Sequence, residues 1–359
     1  MTTAVNPAQL DPLMGPSPDD GGDLAWISPR REPFHLAGFA WLAQDGVYRR
    51  LPVHPEWPIR PEVDRLADAT AGGQIRFRTD SSAIAVRVTL AGPPNMNHMA
   101  ATGQCGFDGY VGDCGDQHYA GTARPTLGSD RYEQIVFRTP SRQMRTITLD
   151  FPLYQGVTEV LVGLDPDAAI DAPPDYAGGR VVVYGTSITQ GGCAARPGMA
   201  YTNILSRRIP REFVNLGFSG NGRGEPEVAR VIAQLDGVDC FVLDYETNVP
   251  DLETLRTTLT DFIPILRERH PLVPILVLTK PQFVQEHYDP KKAAQRRERR
   301  DVQAGIVERY RNEGDANLHF LDMLDDGFDD CTVDGSHPTD LGFLRMADRL
   351  EPVVADLLS

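Results

Sequence analysis

The hydrophobic pattern of this 359-residue chain changes in character near its middle, and this change constrains the fold more than any other feature. Between about residues 70 and 165, apolar and polar residues alternate in short runs, such as AIAVRVTL at 83–90 and RTITL at 145–149. Gly, Pro and Asp separate these runs. Period-two runs of this kind predict antiparallel strands with one buried face, so we expect a β-sandwich in the first half.

The pattern after residue 179 is typical of a different architecture. Apolar runs such as VVVY and CFVL are continuous here, and segments of helical length, notably 252–269 and 290–312, lie between such runs. Continuous apolar strands that alternate with helices indicate a parallel sheet with helices on both faces, which is a three-layer α/β fold. Stretches rich in Pro, Asp and Gly mark the boundaries between the regions of the chain. We therefore predict a disordered tail at 1–25, a β-sandwich accessory domain at 26–165, a linker at 166–179 and an α/β domain at 180–359.

The composition excludes several classes of protein. Fifty acidic and 35 basic residues give a net charge of -15, which repels phosphate backbones and argues against a nucleic-acid partner. No apolar stretch approaches the ~20 residues of a transmembrane helix, and no signal peptide is visible, so we expect no membrane association and a cytoplasmic protein. Five scattered cysteines predict no disulfide framework. Cys105 and Cys114 could pair across a loop, but two reduced thiols are the simpler interpretation.

Four motifs follow predicted strands of the second half, at the strand ends where α/β sheets bind ligands. Ser187, in GTSIT, lies at a strand-to-helix turn that exposes its hydroxyl near backbone N–H groups. Asp334 stands three residues before His337 in DGSH, a spacing at which a carboxylate can hold an imidazole that accepts a serine proton. Gly220, in NLGFSGNG, permits a tight turn that points an amide N–H into a site, and Asn248, in DYETN, offers a side-chain donor.

Each motif also has a simpler interpretation. A Gly-Thr-Ser turn after a strand occurs without catalysis, and an aspartate near a surface histidine can serve only to cap a helix. Asp244 and Glu246 could suggest a metal site. However, no His or Cys stands beside them at ligand spacing, so we expect neither a metal nor another cofactor.

Taken in order, GTSIT, NLGFSGNG, DYETN and DGSH resemble blocks I, II, III and V of the SGNH, or GDSL, hydrolase superfamily over about residues 180–359. In the first half, RFRTDSSAIAVRV, GFDGYV and FPLYQGVTEVLVGL are similar to the N-terminal β domain of one branch of that superfamily. The resemblance implies a flavodoxin-like catalytic domain preceded by a jelly-roll-like β-sandwich. It also implies the activity of a serine esterase or acyltransferase.

The resemblance implies a role for each matching position. Ser187 would be the nucleophile, His337 the general base and Asp334 the residue that orients it. The oxyanion hole would consist of the backbone N–H groups of Ser187 and Gly220 and the side chain of Asn248. Two departures stand out. The family's Gly-Asp-Ser is Gly-Thr-Ser here, and its Gly-x-Asn-Asp block reads ETNV, so Asn248 is aligned by order and strand position alone.

These residues predict an acyl-enzyme, and the acceptor of the acyl group decides between two activities. Water gives the hydrolysis of a small-molecule or sugar ester, which we favour. An alcohol in a dry site gives an acyltransferase that uses a thioester such as acyl-CoA. The basic run at 291–300 could dock such an anionic carrier, or it could be a solvated helix face. The third alternative is a carbohydrate-binding protein whose α/β domain has no catalytic activity. No feature of the sequence indicates an oligomeric state.

Aromatic residues and one histidine in the first half leave further alternatives open. Trp26, Trp41 and Trp57 are expected to pack against the β core or its edge, although an exposed platform for a sugar is the alternative. His98 lies in a polar segment, NMNHM, that could lean over the cleft and shape an acyl pocket. An ordinary surface loop is the simpler interpretation.

Overall fold

The computed structural model describes residues 23–324 and 327–359, so all but the last three residues of the predicted tail lie outside the described part. In the first half, strands dominate and the helices are short. The elements of this half are, in order, β1 (Ala25–Ile27), β2 (His35–Ala37), α1 (Leu42–Asp45), α2 (Pro61–Leu66), β3 (Gln74–Thr79), β4 (Ala83–Leu90), α3 (Ala101–Cys105), β5 (Phe107–Val111), β6 (His118–Ala123), β7 (Arg131–Arg138), β8 (Arg145–Asp150), β9 (Val157–Leu164) and β10 (Ile170–Asp171).

The strands of the first half form two antiparallel sheets. One sheet has the order β1-β9-β4-β7, and the other has the order β10-β3-β8-β5-β6, with β2 paired to β3. Side chains of both sheets share one core, in which Val86 and Val162 come from the first sheet and Phe77 and Phe107 from the second. Alternation places every second side chain of a strand on one face. The prediction of an antiparallel first half is confirmed.

Strands and longer helices alternate in the second half, as the continuous apolar runs predict. Two of its helices have the bounds of the predicted segments 252–269 and 290–312. The elements are β11 (Arg180–Gly185), α4 (Ser187–Gln190), α5 (Tyr201–Arg208), β12 (Glu212–Gly217), α6 (Pro226–Ala233), β13 (Val238–Asp244), α7 (Leu252–Arg269), β14 (Ile275–Leu278), α8 (Gln285–Tyr288), α9 (Pro290–Asn312), β15 (Leu318–Leu321) and α10 (Asp340–Leu357).

The strands of the second half form one parallel sheet with the order β12-β11-β13-β14-β15. The first strand therefore lies between the second and the third, and sheets of this order bind ligands at the carboxyl ends of those strands. Val182 and Tyr184 of β11 pack into one core cluster, whereas Val181 and Val183 pack into another on the opposite face. The prediction of a parallel α/β half buried on both faces is confirmed.

Part of the first half packs against the α/β half rather than against its own sheets. Trp41, Leu51, Val63 and Ala67 belong to a core cluster that otherwise consists of α/β residues, and Trp57 packs against the same cluster. These two tryptophans therefore do not pack against the β core, in contrast to the expectation from the sequence. The reason is long-range packing of residues 41–67, which no local pattern of the chain indicates.

Two further observations bear on membranes and disulfides. Within residues 23–324 and 327–359, no helix combines the length and the apolar character that crossing a membrane requires. All five cysteines are free thiols, Cys105 and Cys114 among them.

Candidate active site

Ser187 is the first residue of α4, and only Thr186 separates it from the end of β11. The chain turns sharply from the strand into the helix at this point. Two hydrogen bonds hold the turn. The N–H of Ile188 donates to Thr186 Oγ1 (3.3 Å), and the N–H of Thr186 donates to Thr189 Oγ1 (3.2 Å). Gly185 is required here because a Cβ at this position would lie 1.9 Å from Thr189 Oγ1. This packing fixes the backbone from which the Ser187 side chain projects.

Ser187, His337 and Asp334 form a continuous chain of hydrogen bonds. Ser187 Oγ lies 2.8 Å from His337 Nε2, and His337 Nδ1 lies 2.7 Å from Asp334 Oδ2. When Asp334 accepts the hydrogen of Nδ1, the lone pair of Nε2 faces the serine hydroxyl. Asp334 Oδ1 also accepts from the backbone N–H groups of Ser336 (3.0 Å) and His337 (2.9 Å). The structure thus brings together two motifs that are 150 residues apart.

Asp334 is ionised at neutral pH. Burial acts to raise its pKa, but hydrogen bonds from the backbone N–H and the ring of His337, and from the backbone of Ser336, outweigh burial and hold the pKa of Asp334 below its usual range. A carboxylate rather than a neutral acid therefore faces the imidazole. Such a carboxylate stabilises an imidazolium when one forms.

The turn that carries Gly220 lies beside the serine turn. Gly217 at the end of β12 and Asp244 at the end of β13 are both aligned with Gly185 in the sheet, so three strands end at the same level. A Cβ on Gly222 would lie 2.0 Å from Gly185 O, which shows how closely the two turns pack. Gly220 has a φ of +68°, and no atom lies within 4 Å of where its Cβ would be. This left-handed residue is therefore on the open side of the turn.

Asn248 lies at the edge of a cleft that adjoins the triad loop. It ends a short 3-10 turn (Glu246–Asn248) after β13, and its Oδ1 is buried without a hydrogen-bond partner. The cleft has a volume of about 970 Å³ and is lined by both Asn248 and Ser336, the residue before His337. This volume lies in the range of small-molecule sites.

A buried polar cluster beneath the serine turn was not predicted from the sequence. Asp244 Oδ2 accepts hydrogen bonds from Thr189 Oγ1 (2.7 Å) and from the Tyr201 hydroxyl (2.8 Å). Burial raises the pKa of Asp244 to about 7. Glu246 is also buried, and its Oε1 accepts from the backbone N–H of Lys280 (2.7 Å). Asp244 is 55 residues from Thr189 and 43 from Tyr201, so no local signal could have found this cluster.

Two arginines of the first half hold the turn that carries Gly220. The guanidinium of Arg50 is fully buried and donates to the carbonyl oxygen of Gly217. Arg60 donates from Nη1 to Asn221 Oδ1 (3.0 Å) and from Nη2 to Asn221 O (3.1 Å). The first half therefore contributes directly to the geometry of this part of the site.

Only some residues of the basic run at 291–300 on α9 are exposed to solvent. Arg296 is 6% exposed and forms ion pairs within the chain. Arg299 donates to the carbonyl oxygens of Glu246 (2.9 Å), the first residue of the turn that carries Asn248, and of Val249 (2.8 Å), the residue after that turn. These two arginines therefore build the scaffold of the cleft rather than a face for docking.

His98 lies close to the triad although it comes from the first half of the chain. Its ring centroid is 6.3 Å from that of His337, and its side chain is exposed. The segment is thus an exposed loop that lies beside the triad, which combines features of both interpretations.

Comparison with known families divides the chain into two matching regions. Residues 179–355 match the GDSL-like lipase/acylhydrolase family, and residues 24–170 match the N-terminus of Esterase_SGNH_hydro-type proteins. No curated protein matches the chain.

Several solved structures resemble the chain over nearly its whole length. A protein from Bacteroides ovatus described as a GDSL-like lipase is 30% identical, with a TM-score of 0.85 over 94% of this chain and 98% of that one. The salicylyl-acyltransferase SsfX3 from a tetracycline biosynthetic pathway is 22% identical, with a TM-score of 0.74 and the same coverage of 94% and 98%. A family two carbohydrate esterase from Cellvibrio japonicus is 14% identical, with a TM-score of 0.59 over 94% and 98%. The last two show a shared fold. On the family match and the first of these structures, the chain belongs to the GDSL-like lipase/acylhydrolase family of SGNH hydrolases and is an enzyme of the esterase or acyltransferase type.

Proposed function

We propose that this enzyme is a serine-dependent acyl-ester hydrolase that works through an acyl-enzyme. The chain of hydrogen bonds from Ser187 through His337 to Asp334 is the observation that carries the proposal. A serine hydroxyl is a poor nucleophile until a base accepts its proton. Here Nε2 is 2.8 Å from Oγ, which is within reach for that transfer.

The first half-reaction forms the acyl-enzyme. Ser187 Oγ attacks the carbonyl carbon of the ester while its proton passes to His337 Nε2, and Asp334 stabilises the imidazolium. The carbonyl oxygen becomes an oxyanion, for which the N–H groups of Ser187 and Gly220 and the Asn248 amide are the proposed donors. Collapse of this intermediate breaks the ester C–O bond, and the alcohol leaves with the proton from His337.

The second half-reaction restores the free enzyme. Water attacks the acyl carbon while His337 accepts its proton, the bond to Ser187 Oγ breaks, and that oxygen takes the proton back as the carboxylic acid leaves. The cleft of about 970 Å³ next to the triad loop, lined by Asn248 and Ser336, has a volume in the range of small-molecule sites. The fold shared with the carbohydrate esterase from Cellvibrio japonicus supports a sugar ester as substrate.

An acyltransferase is the second candidate, in which an alcohol replaces water as the acceptor. The fold shared with a salicylyl-acyltransferase supports it, and the donor would be an acyl thioester such as acyl-CoA. Within the basic run on α9, Arg296 is buried in ion pairs and cannot dock an anionic carrier, whereas Lys291, Lys292 and Arg297 are exposed. The jelly-roll-like arrangement of the sandwich, the division into domains and the cytoplasmic location stay predictions.

The test is the initial rate of p-nitrophenyl acetate hydrolysis by the wild type and by Ser187→Ala and His337→Ala, each with and without a small alcohol. We expect each variant to lower turnover by about 10³-fold or more with folding intact. Ser141→Ala, which changes an exposed serine, serves as the matched control and should keep the wild-type rate. Wild-type rates in Ser187→Ala would overturn the assignment of the nucleophile. A faster rate with alcohol would favour the acyltransferase, and negligible rates in all proteins would favour the binding protein.

A further inference from the structure

Three side chains of different chemistry converge beside the triad. A ring nitrogen of His98, the thiol sulfur of Cys193 and a carboxylate oxygen of Asp334 all lie within 4.8 Å of one another. His98 comes from the loop between β4 and α3, Cys193 from the loop after α4, and Asp334 from the triad loop. No other group of three such side chains with this spacing occurs in residues 23–324 and 327–359.

Two of these three residues have features that are compatible with a ligand site. His98 Nδ1 lies 3.3 Å from Asn97 Oδ1, so that Nε2 remains to bind a ligand. Cys193 is 6% exposed, and with a φ of +73° it is the one non-glycine residue of the described part in the left-handed region. Backbone strain of this kind clusters at functional sites because the surrounding structure must maintain it.

Imidazole nitrogen, thiolate sulfur and carboxylate oxygen are the donors that Zn²⁺ prefers in proteins. With metal–ligand bonds of ~2.0–2.3 Å, neighbouring ligand atoms of a tetrahedral site are ~3.3–3.7 Å apart. Separations of up to 4.8 Å therefore close through small side-chain rotations. Three protein ligands leave the fourth position for water.

We propose that His98, Cys193 and Asp334 form a Zn²⁺ site, and that Zn²⁺ bound there inhibits the enzyme. On binding, the Cys193 thiol releases its proton to solvent and its sulfur bonds to the metal. Asp334 is shared between this site and the triad, where its Oδ2 accepts from His337 Nδ1. A carboxylate that coordinates Zn²⁺ transfers electron density to the metal, so it no longer stabilises an imidazolium on His337.

The sequence predicts no metal site, and the positions of the three ligands explain why. The three ligands are separated by 95 and 141 residues (98 to 193 to 334), so no ligand spacing links them along the chain. Only the fold brings the loop that carries His98 over the triad.

Binding is tested first with Co²⁺, which takes tetrahedral sites like Zn²⁺ and gives a thiolate-to-metal charge-transfer band. We expect a band that saturates at one Co²⁺ per chain in the wild type and that is lost in Cys193→Ser. Cys114→Ser is the matched control, because Cys114 is the one cysteine that is partly exposed, and it should keep the band. A wild type without the band, or a band that persists in Cys193→Ser, overturns the site.

Inhibition is tested separately, because it rests on the proposed function whereas the Co²⁺ band does not. We expect Zn²⁺ to inhibit ester hydrolysis by the wild type and a chelator to restore the rate. The inhibition of His98→Ala is measured relative to its own rate without Zn²⁺, because this loop lies beside His337. The substitution should raise the inhibitory Zn²⁺ concentration by at least about tenfold, since even changes around the ligands weaken metal affinity ~10–100-fold. Equal inhibition of wild type and His98→Ala would place the metal elsewhere and overturn the proposed inhibition.

Discussion

Replacement of Arg50 by Met should destabilise the whole protein, because this arginine satisfies carbonyl oxygens from both halves of the chain. Its guanidinium is 0% exposed and donates to the carbonyl oxygens of Leu66 (2.5 Å), Ala69 (2.7 Å) and Gly217. It also lies 4.9 Å from the centroid of the Phe218 ring. Hydrogen bonds to a charged group contribute ~1.5–3 kcal/mol each, so three of them would sum to ~4.5–9 kcal/mol. Methionine avoids the desolvation of a buried charge, and we expect a net loss of ~3–5 kcal/mol.

The assay is urea unfolding of Arg50→Met followed by circular dichroism, with Arg309→Met as the matched control. Arg309 is 50% exposed and lies 3.9 Å from Glu313, a surface pair whose loss should change the free energy of unfolding by less than about 1 kcal/mol. Because Arg50 holds the strand end that leads to Gly220, kcat should also fall, by about tenfold, with KM little changed. An Arg50→Met variant that unfolds within about 0.5 kcal/mol of Arg309→Met would refute this reasoning.

Two further predictions concern the site. Asn248→Ala should lower kcat a few hundredfold and leave KM nearly unchanged, since one oxyanion donor is worth ~2.7–4 kcal/mol; an unchanged kcat in steady-state assays would remove Asn248 from the site. The pKa of Asp244 is raised from 3.8 to about 7 in the folded protein, so its contribution to stability is fully present below about pH 4 and is lost as the pH rises through 7. The urea midpoint should therefore decrease more between pH 5 and pH 8 in the wild type than in Asp244→Asn. Equal decreases in the two proteins would contradict the raised pKa of Asp244.

Local patterns of the sequence predict the elements well. The strands Ala83–Leu90 and Val157–Leu164 and the helices Leu252–Arg269 and Pro290–Asn312 have the bounds that the hydrophobic pattern indicates. Each of these is decided by the period of apolar residues within the element itself. The position of the catalytic motifs directly after strands could also be predicted, because the ends of the strands can be identified in the sequence.

Contacts between distant residues could not be predicted in the same way. The run of arginines on α9 has the charge pattern of a solvated face, yet Arg296 is buried because its partners Glu286 and Asp322 come from other elements. Arg50 looks like an ordinary basic residue until the fold places it under a strand end 167 residues later. Electrostatic pairing of this kind depends on the tertiary structure and leaves no periodic trace in the sequence.

The hydrogen bonds of Arg50 also have a consequence for folding during synthesis, because one of their acceptors is translated much later than the arginine. The acceptor at Gly217 is 167 residues downstream, so at ~5–20 residues per second it is synthesised roughly 10–30 seconds after the arginine. The two antiparallel sheets contain all their own strands by then, whereas Trp41, Leu51 and Val63 still lack the core cluster that they join. During nascent-chain growth, the apolar side chains of residues 41–67 therefore remain without these partners after every strand of the two antiparallel sheets has been synthesised.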